Sequence, residues 1–185
     1  MSYTFSPFPN LESDRLLYRA INENDANEII ALRGNVENMK YIPRPLVTTT
    51  EEALAHIKMI QDKIETNEGI NWVVTEKGSD KLIALIGHYR IKPEHFRCEI
   101  GYMFLPGYHG KGYATEAIKT ILKYAFNDMK MHSVEAIIDP KNTGSERVLQ
   151  KNGFVKEAHL VENEYYDGRF IDSVIYSLLK RNFIQ

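Results

Sequence analysis

Residues 99–116 read EIGYMFLPGYHGKGYATE, and the reading of this stretch decides the fold. It opens as a strand whose alternation puts Cys98, Ile100 and Tyr102 on one face and Glu99, Gly101 and Met103 on the other. A loop with glycines at 107, 110 and 112 follows. The chain then runs directly into an amphipathic helix over 114–128, with Ala117, Ile118, Ile121, Leu122, Ala125 and Phe126 on its inner side. Glycine lets the backbone approach a ligand closely. A helix start offers unpaired N–H groups and roughly half a positive charge. Strand, glycine loop and helix start together describe an anion site, most naturally for phosphate. The same residues also read as a plain glycine-rich turn entering a helix. Two nucleotide motifs fail here. A Walker loop needs G-x-x-x-x-G-K-[ST], and Tyr113 follows Gly112 where Lys is required. A dinucleotide fingerprint starting at Gly110 puts Thr115 in the last glycine or alanine place.

The flanking sequence supplies the rest of the domain. Leu16, Leu17, Tyr18 and Ala20 read as a first strand. Asn24 is placed to cap a helix over 26–33, which Gly34 stops. Pro43 and Pro45 break the chain, and Thr49 with Glu52 has the spacing of a capping box. Ala53, Ile57, Ile60 and Ile64 then mark one face of a long helix ending near Gly69. Strands follow over 72–76, 82–89 and 96–105, with a turn over 77–80 and Pro93 ending a hairpin. After the central helix, Val134, Ala136 and Ile138 alternate as a strand. A short helix over 145–151 closes on Asn152 and Gly153. Strands over 154–161 and 170–179 are joined across Asp167-Gly168, a strong hairpin turn. The order β-α-α-β-β-β-α-β-α-β-β predicts a mixed α+β domain.

Composition agrees with one globular domain over residues 1–185, because ~100–200 residues is an ordinary domain length. There is no repeat, low-complexity tract or linker. With 43% hydrophobic and 26% charged residues the chain is not a disordered one. Lys and Arg number 23 against 25 Asp and Glu, a net −2 that argues against a nucleic-acid partner. A single cysteine, Cys98, excludes an internal disulfide and a Cys-cluster metal site. The histidines show no close paired spacing, so no metal is expected. The opening MSYTFSPFPN lacks the basic and apolar regions of a secretory signal, and no apolar run nears the ~20 residues of a membrane helix. The expectation is a reduced, cytoplasmic protein with no membrane partner.

His109-Gly110-Lys111-Gly112-Tyr113-Ala114 resembles the acetyl-coenzyme A loop Q/R-x-x-G-x-G/A of the GNAT N-acetyltransferases, departing from it at His109. The whole 99–117 segment is similar to the fourth strand and loop of the ribosomal-protein (Rim-type) branch, which acetylates protein N-termini. Asn142-Thr143-Gly144-Ser145 followed by Val148-Leu149-Gln150-Lys151-Asn152-Gly153-Phe154 resembles that branch's N-x-x-S…vLxKxGF segment. The opening Glu12-Ser13-Asp14-Arg15-Leu16 is similar to its ExxRL start. The resemblance implies a mostly antiparallel twisted sheet flanked by helices, with the fourth and fifth strands splayed around the pantetheine arm of acetyl-coenzyme A. It implies main-chain contacts to that arm from Met103, Phe104 and Leu105, and a pyrophosphate site on the N–H groups of 110–114. His109, Gly110, Lys111, Gly112, Tyr113, Ala114, Thr115 and Asn142 are therefore candidate cofactor contacts. Lys111 also reads as a solvated loop lysine, Thr115 as a helix-bonding hydroxyl and Asn142 as a cap.

The implied chemistry is direct attack of a neutral amine on a thioester. An α-amine has a reference pKa of ~7.7–8.0 and a lysine amine ~10.4. Deprotonation near pH 7 thus costs about 1 kcal/mol for the first and roughly 4–5 kcal/mol for the second, at 1.36 kcal/mol per unit. One carboxylate, acting directly or through water, is enough for an α-amine. Glu99 sits where relatives carry their glutamate and is the candidate base; a solvent-facing strand glutamate is the plain alternative. Many GNAT enzymes protonate the leaving thiolate with a tyrosine at the position that Leu149 occupies here. The Rim-type branch also lacks it, so Ser145 inherits the acid role, with water or a simple helix cap as alternatives. Met39, Tyr41, Pro43, Arg44, Trp72, Tyr165 and Tyr166 would flank the acceptor cleft in this family's fold, or else serve as ordinary packing. Cys98 reads as a core residue rather than a nucleophile.

Three functions remain open on the sequence. The first is transfer of acetyl to a protein N-terminal α-amine. The second uses the same chemistry on a polyamine, aminoglycoside or amino acid. The third is a non-catalytic acyl-coenzyme A sensor. A monomer or homodimer fits any of them.

Overall fold

The computed structural model describes residues 3–184. In chain order the elements are β1 (Leu11–Glu12), β2 (Leu16–Arg19), α1 (Ala26–Arg33), α2 (Val36–Met39), α3 (Thr50–Glu65), β3 (Ile70–Glu76), β4 (Ala84–Lys92), β5 (Arg97–Phe104), α4 (Tyr113–Asn127), β6 (Ser133–Ile138), α5 (Thr143–Lys151), β7 (Val155–Tyr166) and β8 (Arg169–Leu179). The strands form one sheet in the order β1-β2-β3-β4-β5-β6-β8-β7. Every pairing is antiparallel except β5 with β6.

Local chemistry sets most boundaries. The Thr49 side chain accepts from the Glu52 N–H, and the Glu52 carboxylate returns to the Thr49 N–H, so α3 starts on the expected capping box. It ends at Glu65, short of Gly69, because Asn67 turns left-handed at φ 58°. Asn24 does not cap α1. Asn22 instead caps the 3-10 turn over Glu23–Asp25 that leads into the helix, its extended backbone (φ −141°) freeing the carboxamide to accept from Asn24 N–H, and Asp25 at the start of α1 makes no side-chain cap bond. Asp167 and Gly168 both take positive φ (49° and 78°), the geometry a two-residue hairpin requires.

Helices cover both faces of the sheet. On one face α4 buries Ala117, Ile118, Ile121, Leu122, Ala125 and Phe126 against Trp72, Ile86, Cys98 and Ile100. On the other, α1 and α3 lay Ile29, Leu32, Ala53, Ile57 and Ile60 over Val73 and Leu85, with Met103 packed alongside. The alternation of β3, β4 and β5 serves both cores at once, and β3 and the first half of β4 are buried on both faces. Among the described residues, no helix is long and apolar enough to cross a membrane.

The parallel pairing is the feature that positions the site. β5 and β6 are in register only at Arg97–Glu99 against Ser133–Glu135. Beyond that point β5 continues to Phe104 paired only with β4, and β6 continues to Ile138 paired only with β8. The two strands diverge, and main-chain groups on their facing edges are left without ladder partners.

Candidate active site

The open gap between β5 and β6 leads into the glycine loop. The Leu105 N–H donates to Ile83 O at 2.9 Å, which places Leu105 in the set of β5 residues bonded to β4. Antiparallel hydrogen bonding alternates, so Met103 and Gly101 also turn their main-chain groups toward β4, while Ile100, Tyr102 and Phe104 turn theirs into the gap. This corrects two expected contacts. Both main-chain groups of Leu105 are engaged, since its carbonyl accepts from Tyr108 N–H at 2.9 Å. Met103 packs its side chain against the α1–α3 core instead. Tyr102, which the sequence reading did not single out, turns its main-chain groups into the gap, an orientation the same alternation made legible. Its phenol is 3.4 Å from the Ser145 carbonyl, and burial pushes it up to about 12.

The loop is held from below. Gly110 and Gly112 have φ of 75° and 80°, conformations that side-chain-bearing residues rarely adopt. Gly112 caps α4 with no side-chain cap, and the first helical bond is Glu116 N–H to Gly112 O at 3.2 Å. The N–H groups of Tyr113, Ala114 and Thr115 therefore have no partner within the helix. The Glu116 carboxylate anchors this turn to the N-terminal strands by accepting from Ser13 Oγ (2.8 Å), Arg15 N–H (2.8 Å) and Arg15 Nε (2.7 Å). Arg15 also donates to Lys111 O at 3.0 Å and stacks 4.4 Å over the Tyr113 ring. The Tyr113 hydroxyl is bonded to Glu76. His109 turns inward, with Nε2 3.1 Å from Phe104 O, and so braces the loop. Lys111 Nζ sits 5.1 Å over the Tyr108 ring. An unpaired helix start beside a gap lined with free main-chain groups fits the phosphates and amide-bearing arm of coenzyme A.

Asn142 and Ser145 lie across the gap at the start of α5. The Asn142 side chain accepts from Ser145 N–H at 3.0 Å, so it caps α5, and Ser145 is half-buried. Glu99 stands where β5 and β6 part, its side chain 16% exposed, with Arg90 Nη1 3.0 Å from its carboxylate. Burial raises its pKa above the usual carboxylate range; Arg90 opposes this, and Glu135 and Glu164 reinforce it. Arg90 reaches Glu99 because β4 bulges between Tyr89 and Lys92, where Arg90 adopts φ 43°.

The expected acceptor residues separate. Trp72 does not line a cleft. It is fully buried on the α4 face, its Nε1 donating to Pro9 O at 2.7 Å and its ring edge-on to Tyr124 at 5.1 Å. β3 lies inside the sheet, so its α4-facing side chains are core. Tyr41 is half-buried with Lys40 Nζ 5.3 Å over its ring, and Arg44 is exposed, with Nη1 2.6 Å from Pro43 O. Tyr165 is 65% exposed on the β7–β8 hairpin against Phe170, with half-buried Tyr166 next to it. Cys98 is buried, 3.5 Å from His88 Nδ1, and burial pushes its thiol up to about 12, which suits a core residue and not a nucleophile.

Comparison with known proteins completes the assignment. The chain is 32% identical over 173 residues to Uncharacterized N-acetyltransferase YoaA from Bacillus subtilis, covering 94% of this chain and 98% of that one. A GNAT-family acetyltransferase from Bacillus anthracis superposes with a TM-score of 0.82 at 31% identity, covering 94% and 99% of the two chains. Spermidine N-acetyltransferase from Vibrio cholerae, solved with CoA and spermine, superposes with a TM-score of 0.80 at 25% identity, covering 92% and 98%. The family model "Acetyltransferase (GNAT) domain" matches residues 15–155. With the splayed strands and the glycine loop of that fold in place, this chain belongs to the GNAT acetyltransferases and is an acetyl-coenzyme A-dependent N-acetyltransferase.

Proposed function

We propose that the acceptor is an α-amine, first of all the N-terminal amine of a protein as in the Rim-type branch, with Glu99 as its base. The observation that carries this reading is the position of Glu99: a mostly buried carboxylate, raised in pKa, at the point where β5 and β6 diverge. Such a group holds a proton from a weakly basic amine without needing the larger shift a lysine side chain demands. Met103 and Leu105 leave the arm-binding role to the main chain of Tyr102 and to the Phe104 N–H, the Phe104 carbonyl being held by His109 Nε2. Asn142 fixes the start of α5, and the N–H groups of Gly112, Tyr113, Ala114 and Thr115 face the pyrophosphate.

The thioester supplies an acetyl carbon open to attack. As the C–N bond forms and the C–S bond breaks, the amine proton passes to Glu99, directly or through water. Ser145 at the first turn of α5 passes its hydroxyl proton to the departing sulfur and regains one from water. Tyr165 and Tyr166, on the hairpin that also carries Glu164, flank the acceptor entry. The spermine-bound neighbour favours a second reading, a polyamine acceptor.

The test is release of free thiol from acetyl-coenzyme A with a panel of N-terminal peptides and small amines. Peptides are expected to be the better substrates. Glu99→Gln is expected to lower kcat with acetyl-coenzyme A affinity retained, and to remove the acidic limb of the pH–rate profile. A variant profile identical to the parent's would refute the base role.

A further inference from the structure

Resting on the α-amine reading, the geometry points to an anion subsite at Arg33, across Tyr89 from Glu99, so that the acceptor is an amine that also bears a carboxylate.

Among the described residues three arginines are half-buried: Arg19, Arg33 and Arg97. Arg19 holds Asp25 and Asp80, and Arg97 holds Glu135. Arg33 holds no carboxylate among the described residues, and its Nε is fully enclosed with no hydrogen-bond partner. An Nε shut off from water without an acceptor is costly, while the residue itself is only half-buried, so the outer nitrogens of the guanidinium are left for a ligand's carboxylate. Nor do its neighbours neutralise it. Burial lowers the Arg33 pKa, the Tyr89 phenol raises it, and Arg44, a second cation, lowers it further. His56 is held near 4 by burial, Arg33 and Lys63, so it stays uncharged at neutral pH.

Tyr89 links this cation to the proposed base. It lies opposite Glu99 in the β4–β5 ladder, so both side chains stand on the α1–α3 face. Its ring covers Gly101, where an added Cβ would lie 2.9 Å from the ring edge. Its hydroxyl is bonded to the Asn71 side chain. Arg33 ends α1 on this same side, and the Val47 N–H donates to its carbonyl at 3.3 Å, bringing the segment that carries Arg44 alongside. The face thus runs from a carboxylate, Glu99, with Glu135 and Glu164 contributing to its field, over an aromatic ring to an unpaired guanidinium. It matches a ligand with an amine at one end and a carboxylate at the other. A polyamine has nothing to offer Arg33. The carboxylate has two sources: the acidic side chain of an N-terminal peptide, or the α-carboxylate of a free amino acid.

The experiment compares acetyl transfer to matched acceptors: peptides starting with Asp or Glu against Asn or Gln, free amino acids against their amides, and spermidine. Each is run with the parent, Arg33→Gln and Arg33→Lys. Carboxylate-bearing acceptors are expected to be preferred by about 10- to 100-fold in kcat/KM, the range of one charge-assisted hydrogen bond. Arg33→Gln is expected to erase that preference through KM while kcat on the neutral acceptors and acetyl-coenzyme A affinity are kept, and Arg33→Lys to restore part of it. The peptide and amino-acid arms identify the source. Equal use of charged and neutral acceptors by the parent, or a preference that survives Arg33→Gln, would overturn the subsite while leaving acetyl transfer in place. If the carboxylate-bearing amines bind through Arg33, seen as a thermal shift lost in Arg33→Gln, but receive no acetyl group, the subsite stands and the α-amine function falls.

Discussion

Replacing Glu116 with alanine tests whether the cofactor loop is held by the N-terminal strands. The Glu116 side chain is 16% exposed and accepts from Ser13 Oγ, Arg15 N–H and Arg15 Nε at 2.7–2.8 Å. The Arg15 side chain is 48% exposed, so that ion pair is screened and contributes about 0–1 kcal/mol. The other two bonds go to a largely buried carboxylate and contribute about 1–1.5 kcal/mol each, the upper part of the range for an ordinary hydrogen bond. The loss on Glu116→Ala is then about 2–4 kcal/mol. For a chain of this size, at about 2–4 °C per kcal/mol, Tm falls by roughly 5–15 °C. Glu116→Gln keeps one carbonyl acceptor and should lose about half as much. Burial raises the Glu116 pKa, but the donors outweigh it and the net shift is downward. The stabilisation is therefore present above the ordinary glutamate pKa and fades as pH falls below it. Because Arg15 also holds Lys111 O and the Tyr113 ring, acetyl-coenzyme A affinity should weaken with stability. Urea denaturation at neutral and acidic pH, with an acetyl-coenzyme A titration, measures both. A Glu116→Ala protein within ~0.5 kcal/mol of the parent and with unchanged affinity would refute this account.

The loop glycines should respond differently to alanine. Gly112 has φ 80° with only Arg15 Nη2 near an added Cβ, at 3.5 Å, so Gly112→Ala costs about 1–2 kcal/mol in backbone strain and little in crowding. Gly107 is not left-handed and has open space, so Gly107→Ala should be neutral or stabilise by about 0.4–1 kcal/mol; equal effects at the two sites in calorimetry would count against the assignment. His88 is fully buried, with its pKa lowered from 6.5 to about 4 by burial against weaker opposing hydrogen bonds. Its contribution is fully present above pH ~6.5 and is lost between there and pH 4, about 3 kcal/mol over the interval. The parent should lose stability over that window more steeply than His88→Gln, and parallel pH curves would refute this.

Much of the fold was legible because its signals are local. The capping box of Thr49 and Glu52, the inner face of α4 and the Asp167-Gly168 turn depend on residues within a turn or two of each other, and each appears where it was expected. Boundaries slipped where a neighbouring residue offered better local geometry, as when Asn22 displaced Asn24 as the cap before α1. The glycine loop and the helix start behind it were equally readable. Trp72 was misplaced because an aromatic residue in a strand looks the same whether its strand is central or at a cleft. Only the position of β3 between β2 and β4 makes it core.

The sequence by itself determined the class of chemistry: strand, glycine loop, helix start and the later Asn142–Ser145 turn, all written in short-range residue types. Tertiary structure decided which groups meet. The main chain of Phe104 faces the gap and that of Met103 does not, because the ladder with β4 sets the direction in which each peptide points. Glu116 reaches back across about a hundred residues to Ser13 and Arg15, and the Arg33 Nε remains enclosed without a hydrogen-bond partner. Side-chain type is a property of the chain, whereas the partner a side chain finds is a property of packing.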